Sequence, residues 1–177
     1  PMTGAKVERA KEPRGRDRYL SDDERQRLLQ TCQESNERRL YPLVVLALST
    51  GGRRRELINL RWRDIDLDRG MAVLHETKNG EKRALPIKGH AQQLLRDLKK
   101  VRRIDTDLVF PSDNGKNGWW HYKPWREVLE KADIENFRFH DLRHSCASYL
   151  AMNGATMTEI GAVLGHKTLQ MVKRYTH

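Results

Sequence analysis

A nearly unbroken apolar run from Leu40 to Leu48 most strongly constrains the fold of this chain. A helix on a protein surface carries its apolar residues on one stripe, whereas this run is apolar on all sides. The run is therefore predicted to be a buried helix with other elements packed around it. It stops at Thr50-Gly51-Gly52, where the glycines indicate a flexible turn.

Other stretches predict a mainly helical domain around this run. Ser21 and Glu24 have the spacing of a capping box, which begins a helix that reaches about Cys32. A further helix is predicted to open with Arg53, Arg54 and Arg55 and to place Leu57, Leu60 and Trp62 on its core face. Four more are predicted over about residues 91–101, 125–131, 141–152 and 159–164. Thr168 is predicted to cap a last helix.

One small antiparallel sheet is also predicted. The apolar-rich runs 71–75 and 83–87 flank Asn79-Gly80, and Asn-Gly is a strong hairpin signal because both residues tolerate positive φ. Lys78 stands immediately before this turn, and Lys82 lies across it. The predicted fold class is α+β, mainly α-helical with a small antiparallel β-sheet.

The chain of 177 residues is long enough for one well-packed domain. Residues 1–19 are polar and basic and lack apolar periodicity. We expect either a flexible linker that follows a phosphate backbone or a disordered chain end there. The domain is expected to occupy residues 20–177.

A net charge of +10 makes a polyanion the expected partner, with nucleic acid ahead of an anionic membrane. A generically basic protein without such a partner remains the alternative. No apolar run approaches the ~20 residues of a membrane span, and no secretory signal is evident, so a cytoplasmic protein is expected. Cys32 and Cys146 are predicted to be buried, reduced thiols.

Two arginines and a tyrosine could carry phosphodiester chemistry. Arg53 on the glycine turn and Arg143 on a helix could hold one phosphate from two sides, since guanidinium binds two phosphate oxygens and stays charged. Taken singly, Arg53 could be solvated and Arg143 could form a surface salt bridge. Tyr175 could be the nucleophile, although its unperturbed pKa of about 10 requires a cationic pocket or a base. Its alternative is a core aromatic.

Histidines and a lysine could move the protons. His140 and Arg143 are three residues apart and are expected to share a helix face with His144 near them. His166 follows a helix end at Gly165, where its ring can project into a cleft. Lys78 on the hairpin could protonate a leaving 5′-oxygen, with Lys82 as a rival. Each histidine could instead be a core residue, and each lysine an ordinary exposed one.

No metal or other cofactor is predicted. Asp64, Asp66 and Asp68 alternate as calcium ligands can, but the glycine and the distal glutamate of a calcium loop are missing. Arginine is expected to take the role of a metal ion.

Five short motifs, in this order over about residues 19 to 177, resemble the catalytic domain of the tyrosine recombinases, the phage integrase family. They are Thr50-Gly51-Gly52-Arg53 with Glu56-Leu57, Lys78 before Asn79-Gly80, His140-Asp141-Leu142-Arg143-His144, Leu164-Gly165-His166, and Tyr175. The resemblance implies the catalytic fold of that family.

The resemblance also implies a site-specific recombinase that cleaves and rejoins double-stranded DNA without metal or ATP. Tyr175 would attack the scissile phosphate, which leaves a 3′-phosphotyrosyl link and a free 5′-hydroxyl. The other implied roles are phosphate binding by Arg53, Arg143 and His166, general acid catalysis by Lys78, assistance of proton transfer by His140, and orientation of the site by Glu56.

Family members usually carry a helical core-binding domain ahead of this one, and many have a C-terminal tail that docks on a neighbouring protomer. Neither is present in these residues, so we expect weak DNA affinity and a monomer for this chain. A tetramer on DNA is expected for the longer protein. Two other functions are possible: relaxation of DNA by a type IB topoisomerase, which uses the same tyrosine step, and DNA binding without catalysis.

Overall fold

A computed structural model describes residues 16–75 and 82–165. Seven α-helices, one short 3-10 helix (Trp62–Asp64) and a three-stranded antiparallel sheet make up this part of the chain. The helices are α1 (Asp22–Glu34), α2 (Leu40–Thr50), α3 (Arg54–Ile58), α4 (Gly89–Lys100), α5 (Tyr122–Lys131), α6 (Asp141–Met152) and α7 (Met157–Leu164); the strands are β1 (Ile65–Asp66), β2 (Met71–His75) and β3 (Lys82–Pro86). The predicted fold class is confirmed.

Helix α2 occupies the centre of the domain, as its uniform hydrophobicity predicts. Eight of its eleven residues are buried, and it packs against α1, α3, α4 and α6. It ends at Gly51, which has a φ of 68° and closes the helix in the left-handed conformation. The central helix thereby sets the position of the turn that follows it.

The sheet has the order β1-β2-β3, and its hairpin strands keep a regular register. Met71 pairs with Pro86 and His75 with Lys82, so the predicted hairpin arms are confirmed. Residues 76–81, which include Asn79-Gly80, lie outside the described residues. Ala72, Leu74 and Leu85 are buried and form the core face of the sheet.

Helix α6 is also buried, although its sequence is polar. Its first eight residues, from Asp141 to Ser148, are all buried. The helix packs against α2 on one side and α7 on the other. A separate apolar cluster of Ala147, Ile160 and Leu164 holds α6 and α7 together.

Several predicted helix boundaries are wrong, among them the start of α7, which begins at Met157 rather than Glu159. Helix α3 ends at Ile58, so Leu60 and Trp62 are buried but do not lie on it. The chain leaves the helix because the Trp62 N–H donates to the Asp107 carbonyl, and the Leu60 carbonyl accepts from the Val109 N–H. Helix α5 begins at Tyr122 rather than Trp125.

The end of the predicted flexible linker contacts the domain. Arg16 donates to both carboxylate oxygens of Asp141 at 2.9–3.0 Å, and Arg18 pairs with Glu24. The Leu20 N–H donates to Ser145 Oγ at 3.0 Å, and the Leu20 carbonyl accepts from the Tyr149 hydroxyl at 2.8 Å. Residues 16–20 therefore lie along α6.

Both cysteines are buried and unpaired, as predicted. Burial raises the pKa of Cys32 to about 12 and that of Cys146 to about 11. Both thiols therefore stay protonated at neutral pH. Within the described ranges, no helix has the length and apolar character needed to cross a membrane.

Candidate active site

Arg53 leaves the glycine turn at the N-cap position of α3. Its backbone is extended, and its side chain is 39% exposed. Gly51 gives this turn its shape, because a Cβ atom there would lie 2.6 Å from Leu164 Cδ2 and the φ of 68° disfavours other residues. Gly52 is equally crowded, with Leu57 Cδ2 at 2.6 Å from a hypothetical Cβ. The turn thus fixes where Arg53 begins.

Glu56 orients Arg53 through two contacts. Its carboxylate accepts from the Arg53 backbone N–H at 2.9 Å and from Arg53 Nη1 at 2.9 Å. The pair lies on the first turn of α3, where a carboxylate also meets the positive end of the helix. Glu56 is therefore a neighbour that holds the arginine, in line with the orienting role implied by the family resemblance.

Arg143 is buried, with 3% of its surface exposed. Its Nη1 donates to the Gly51 carbonyl at 2.7 Å, and its Nη2 donates to the Leu164 carbonyl. The alternative of a surface salt bridge for Arg143 is therefore wrong. The guanidinium joins the glycine turn that precedes Arg53 to the C-terminal end of α7.

His140 lies just ahead of α6, at its N-cap position, and is exposed. Its ring is 5.2 Å from the ring of His144 and almost perpendicular to it. His144, one turn further along the helix, is buried at 6% exposure. The two rings therefore form an edge-to-face pair that leads from the exposed His140 to the buried His144.

Arg53 and His140 line the same groove, which has a volume of about 920 Å³. The groove runs between α3, the sheet and the start of α6. Its charged walls carry five arginines against two carboxylates, so its potential is positive. These charged residues are Arg53, Arg54, Arg55, Arg61, Arg63, Glu56 and Asp64.

Four tyrosines lie in the described part of the chain, and none of them lines this groove. The Tyr149 hydroxyl donates to the Leu20 carbonyl, and burial raises the pKa of Tyr149 to about 12. The Tyr41 hydroxyl is bonded to His90 at 2.9 Å. Neither is suited to nucleophilic attack, because each is engaged elsewhere and Tyr149 is hard to ionise.

Three predicted site residues, Lys78, His166 and Tyr175, lie outside the described residues. Lys82 is described and is exposed at the start of β3. Gly165, the residue before His166, caps α7 with a φ of 68°. Of the predicted site residues that are described, Arg53 and His140 line one groove, and Arg143 contacts the turn that precedes Arg53.

The alternating Asp64, Asp66 and Asp68, which lack the glycine and distal glutamate of a calcium loop, contact different side chains. Asp64 is 3.0 Å from His75, and Asp66 is 3.7 Å from Arg69. Among the described residues, no group of three or more histidine, cysteine or acidic side chains could hold a metal ion.

Arg83 is a residue near the site that sequence reasoning missed. It lies on β3, is only 11% exposed, and contacts both Glu56 and the Leu164 carbonyl. A signal for it exists in the sequence, because Arg83 and Leu85 alternate onto the same face of the strand, which is the core face.

The chain belongs to the phage integrase family: the sequence profile of that family matches residues 18–177. The chain is similar to the shufflon-specific DNA recombinase of Escherichia coli, with 37% identity over 172 residues, which cover 97% of this chain and 43% of the relative. The chain therefore spans less than half the length of that relative.

Solved structures have the same fold. A crystal structure of XerA recombinase matches with a TM-score of 0.76 and 27% identity, over 90% of this chain and 60% of that chain. The catalytic domain of bacteriophage HP1 integrase matches with a TM-score of 0.70 and 26% identity, over 89% of this chain and 85% of that chain. The predicted tyrosine recombinase fold and family are confirmed.

Proposed function

We propose that this chain is the catalytic part of a site-specific tyrosine recombinase that cleaves and rejoins double-stranded DNA. One observation carries the proposal: Arg143 donates to the carbonyl of Gly51, two residues before Arg53, while His140 lines the groove that Arg53 enters. Distant parts of the sequence thus supply one guanidinium and one imidazole to a positive groove, and a second guanidinium contacts the turn that leads into it. The similarity to a DNA recombinase supports the same conclusion.

In the proposed reaction, the Tyr175 oxygen attacks phosphorus and forms a 3′-phosphotyrosyl bond. The bond from phosphorus to the 5′-oxygen breaks, and that oxygen takes a proton from Lys78. The phenol proton leaves with assistance from His140. Rejoining reverses these steps with a new 5′-hydroxyl, so the phosphotyrosyl bond keeps the energy of the broken bond and no ATP is needed.

The arginines supply what a metal ion would otherwise provide. Arg53 and Arg143, with His166, bind the non-bridging oxygens as negative charge develops on them. Removing one such preorganised donor typically lowers the rate by about 10²–10³. In this scheme, Glu56 does not touch the phosphate and acts by holding Arg53.

The partner is double-stranded DNA, which fits the net charge of +10. We expect this chain to be a monomer with weak DNA affinity and the longer protein to form a tetramer on its site. An enzyme of this kind works where bacterial or phage DNA lies, in the cytoplasm. The similarity to recombinases favours strand exchange over relaxation by a type IB topoisomerase and over binding alone.

A trapping experiment tests the proposal. The chain is incubated with a pool of nicked duplexes of randomised sequence. Cleavage near the nick releases a short strand that carries the 5′-hydroxyl, so rejoining is prevented. A chelator removes divalent metal ions. We expect a covalent adduct that survives denaturation and maps to Tyr175 by mass spectrometry. The Tyr175→Phe variant should bind the same pool and form no adduct.

Three outcomes would contradict the proposal: no adduct, an adduct on another residue, or an adduct that forms only when magnesium is added. Relaxation of a supercoiled plasmid by the same protein, with no strand exchange between duplexes selected from the pool, would favour the topoisomerase alternative. Unchanged DNA processing by Tyr175→Phe would remove the tyrosine from the mechanism.

A further inference from the structure

Arg83 is a largely buried charge, 11% exposed, on the strand that leaves the hairpin. It stands opposite Leu74 in the register of β2 and β3, on the face that packs into the core. A charged side chain on such a face requires partners that offset its loss of hydration. Arg83 has two of them on different elements, Glu56 on α3 and the carbonyl of Leu164 at the end of α7.

The first contact makes Glu56 a bridge between two arginines. Its Oε2 accepts from Arg83 Nη2 at 2.6 Å, and its Oε1 accepts from Arg53 Nη1 at 2.9 Å. One negative charge is therefore shared by two guanidiniums. Without Arg83, the whole charge of Glu56 would face Arg53 and would lower the positive potential that Arg53 gives to the groove.

The second contact holds the end of α7. The Leu164 carbonyl accepts from Arg83 Nη1 at 2.6 Å and also from Arg143 Nη2. Two cations thus meet a carbonyl at the negative end of the helix dipole. The next residue, Gly165, has no room for a side chain, since a Cβ atom there would lie 2.4 Å from Arg83 Nη1. Arg83 therefore fixes the backbone from which His166 departs.

We propose that Arg83 is a positioning residue of the active site. Arg83 binds the Glu56 carboxylate that also binds Arg53, so less of the Arg53 charge is offset and more of it acts on the phosphate. Arg83 and Arg143 both donate to the Leu164 carbonyl and so hold the end of α7. Arg83 thus joins β3 to Glu56, which holds Arg53, and to the Leu164 carbonyl, which Arg143 also contacts. This inference rests on the proposed function, and Arg83 itself does not touch DNA.

The test uses Arg83→Gln and Arg83→Lys, with Arg69→Gln as the matched control. Arg69 lies just before β2 in the same sheet region and is 86% exposed. Single-turnover adduct formation is measured at saturating nicked DNA, and the Kd for DNA is measured in the Tyr175→Phe background. We expect Arg83→Gln to lower the rate about tenfold or more with a Kd within about threefold, because misplaced groups cost rate more than binding.

Two further variants separate positioning from folding. Arg83→Lys should recover part of the rate, since an ammonium keeps the charge but does not reproduce the two-armed geometry. The double variant Arg83→Gln/Glu56→Gln should lose less rate than the two single variants combined. In the double variant no Glu56 carboxylate is left to offset the charge of Arg53. An equal loss of rate in Arg69→Gln and Arg83→Gln would overturn the proposal, as would purely additive single losses.

A readout without chemistry distinguishes this inference from the proposed function. The side-chain Nε–H NMR signals of Arg53 and Arg143 should shift in Arg83→Gln and stay unchanged in Arg69→Gln. If they do so while the wild-type chain forms no adduct, the arginine network stands and the recombinase function fails. If they do not shift, the network is not held by Arg83 and the inference is wrong.

Discussion

Single residues at this site are constrained by what lies within a few ångströms of them. Gly165 illustrates this: it combines a φ of 68° with an Arg83 guanidinium at 2.4 Å from any added Cβ atom. That guanidinium cannot swing away freely, because it is bonded to Glu56 and to the Leu164 carbonyl. The glycine is thus required both by backbone conformation and by the space that Arg83 occupies.

Gly165→Ala should therefore lower the free energy of unfolding by more than the cost of placing alanine in a left-handed conformation. The conformational cost for alanine is about 1–2 kcal/mol, and displacement of Arg83 adds to it. Gly154→Ala is the control, since Gly154 has a φ of 86° and nothing within 4 Å of an added Cβ. Urea unfolding should show the larger loss for Gly165→Ala. Equal losses would mean that Arg83 moves aside without cost.

Individual elements were predictable where their signals are local. The Ser21–Glu24 capping box is present as expected, and α6 spans Asp141–Met152 as predicted. Helix α5 was predicted to begin after Pro124, yet it begins at Tyr122. A proline in the first turn of a helix is tolerated because its missing N–H would be unpaired there anyway.

Contacts between elements were much less predictable. The arginine and histidine motifs could be found because each is a short local pattern. The contacts of Arg83 with Glu56 and of Arg16 with Asp141 join residues far apart in sequence. Such pairs depend on how the elements pack, and no spacing along the chain encodes them. Only the alternation of Arg83 with Leu85 hints at one of them.

The start of α1 should make stability depend on acid pH. Arg18 is the largest cause that lowers the pKa of Glu24, to about 2 from an ordinary 4.5, and the backbone N–H of Ser21 adds to the effect. A lowered folded-state pKa contributes stability above the unfolded pKa, and this stability is lost as the pH falls from about 4.5 towards 2. Glu24→Gln should cost about 1–2 kcal/mol at neutral pH and progressively less below about pH 4.

Unfolding of Glu24→Gln in urea across this pH range checks the expectation. Asp22→Asn is the control on the same helical turn, since Asp22 is 84% exposed and its loss should cost under about 0.5 kcal/mol. A cost of Glu24→Gln that stays constant between neutral pH and about pH 3 would show that the ion pair with Arg18 does not contribute to stability.

The domain is strongly basic, and its arginines differ in whether an acidic side chain of the fold pairs with them. Arg16, Arg18 and Arg39 pair with acidic side chains of the fold. Arg55 is exposed on the wall of the positive groove, so it is placed to meet a phosphate. The distribution of charge, more than its total, indicates where a polyanion binds.

DNA affinity should accordingly fall steeply with salt. If the groove neutralises ~4 phosphates, raising salt from about 50 to 200 mM should weaken binding on the order of 10²-fold. Arg55→Gln should reduce the slope of log K against log salt by about one. Arg102→Gln, an exposed arginine outside the groove, should leave the slope unchanged. Equal slopes for the two variants would place the DNA elsewhere.

The contacts of residues 16–20 with α6 affect how a module that precedes this domain in the sequence would be connected to it. A preceding module would connect to the domain beside α6 rather than at the start of α1, because Arg16 and Leu20 form hydrogen bonds with α6, the helix that carries Arg143. Its position relative to the domain would therefore depend on the contacts that residues 16–20 make with α6. Designers of fusions or shortened versions should therefore keep Arg16 and cut upstream of it.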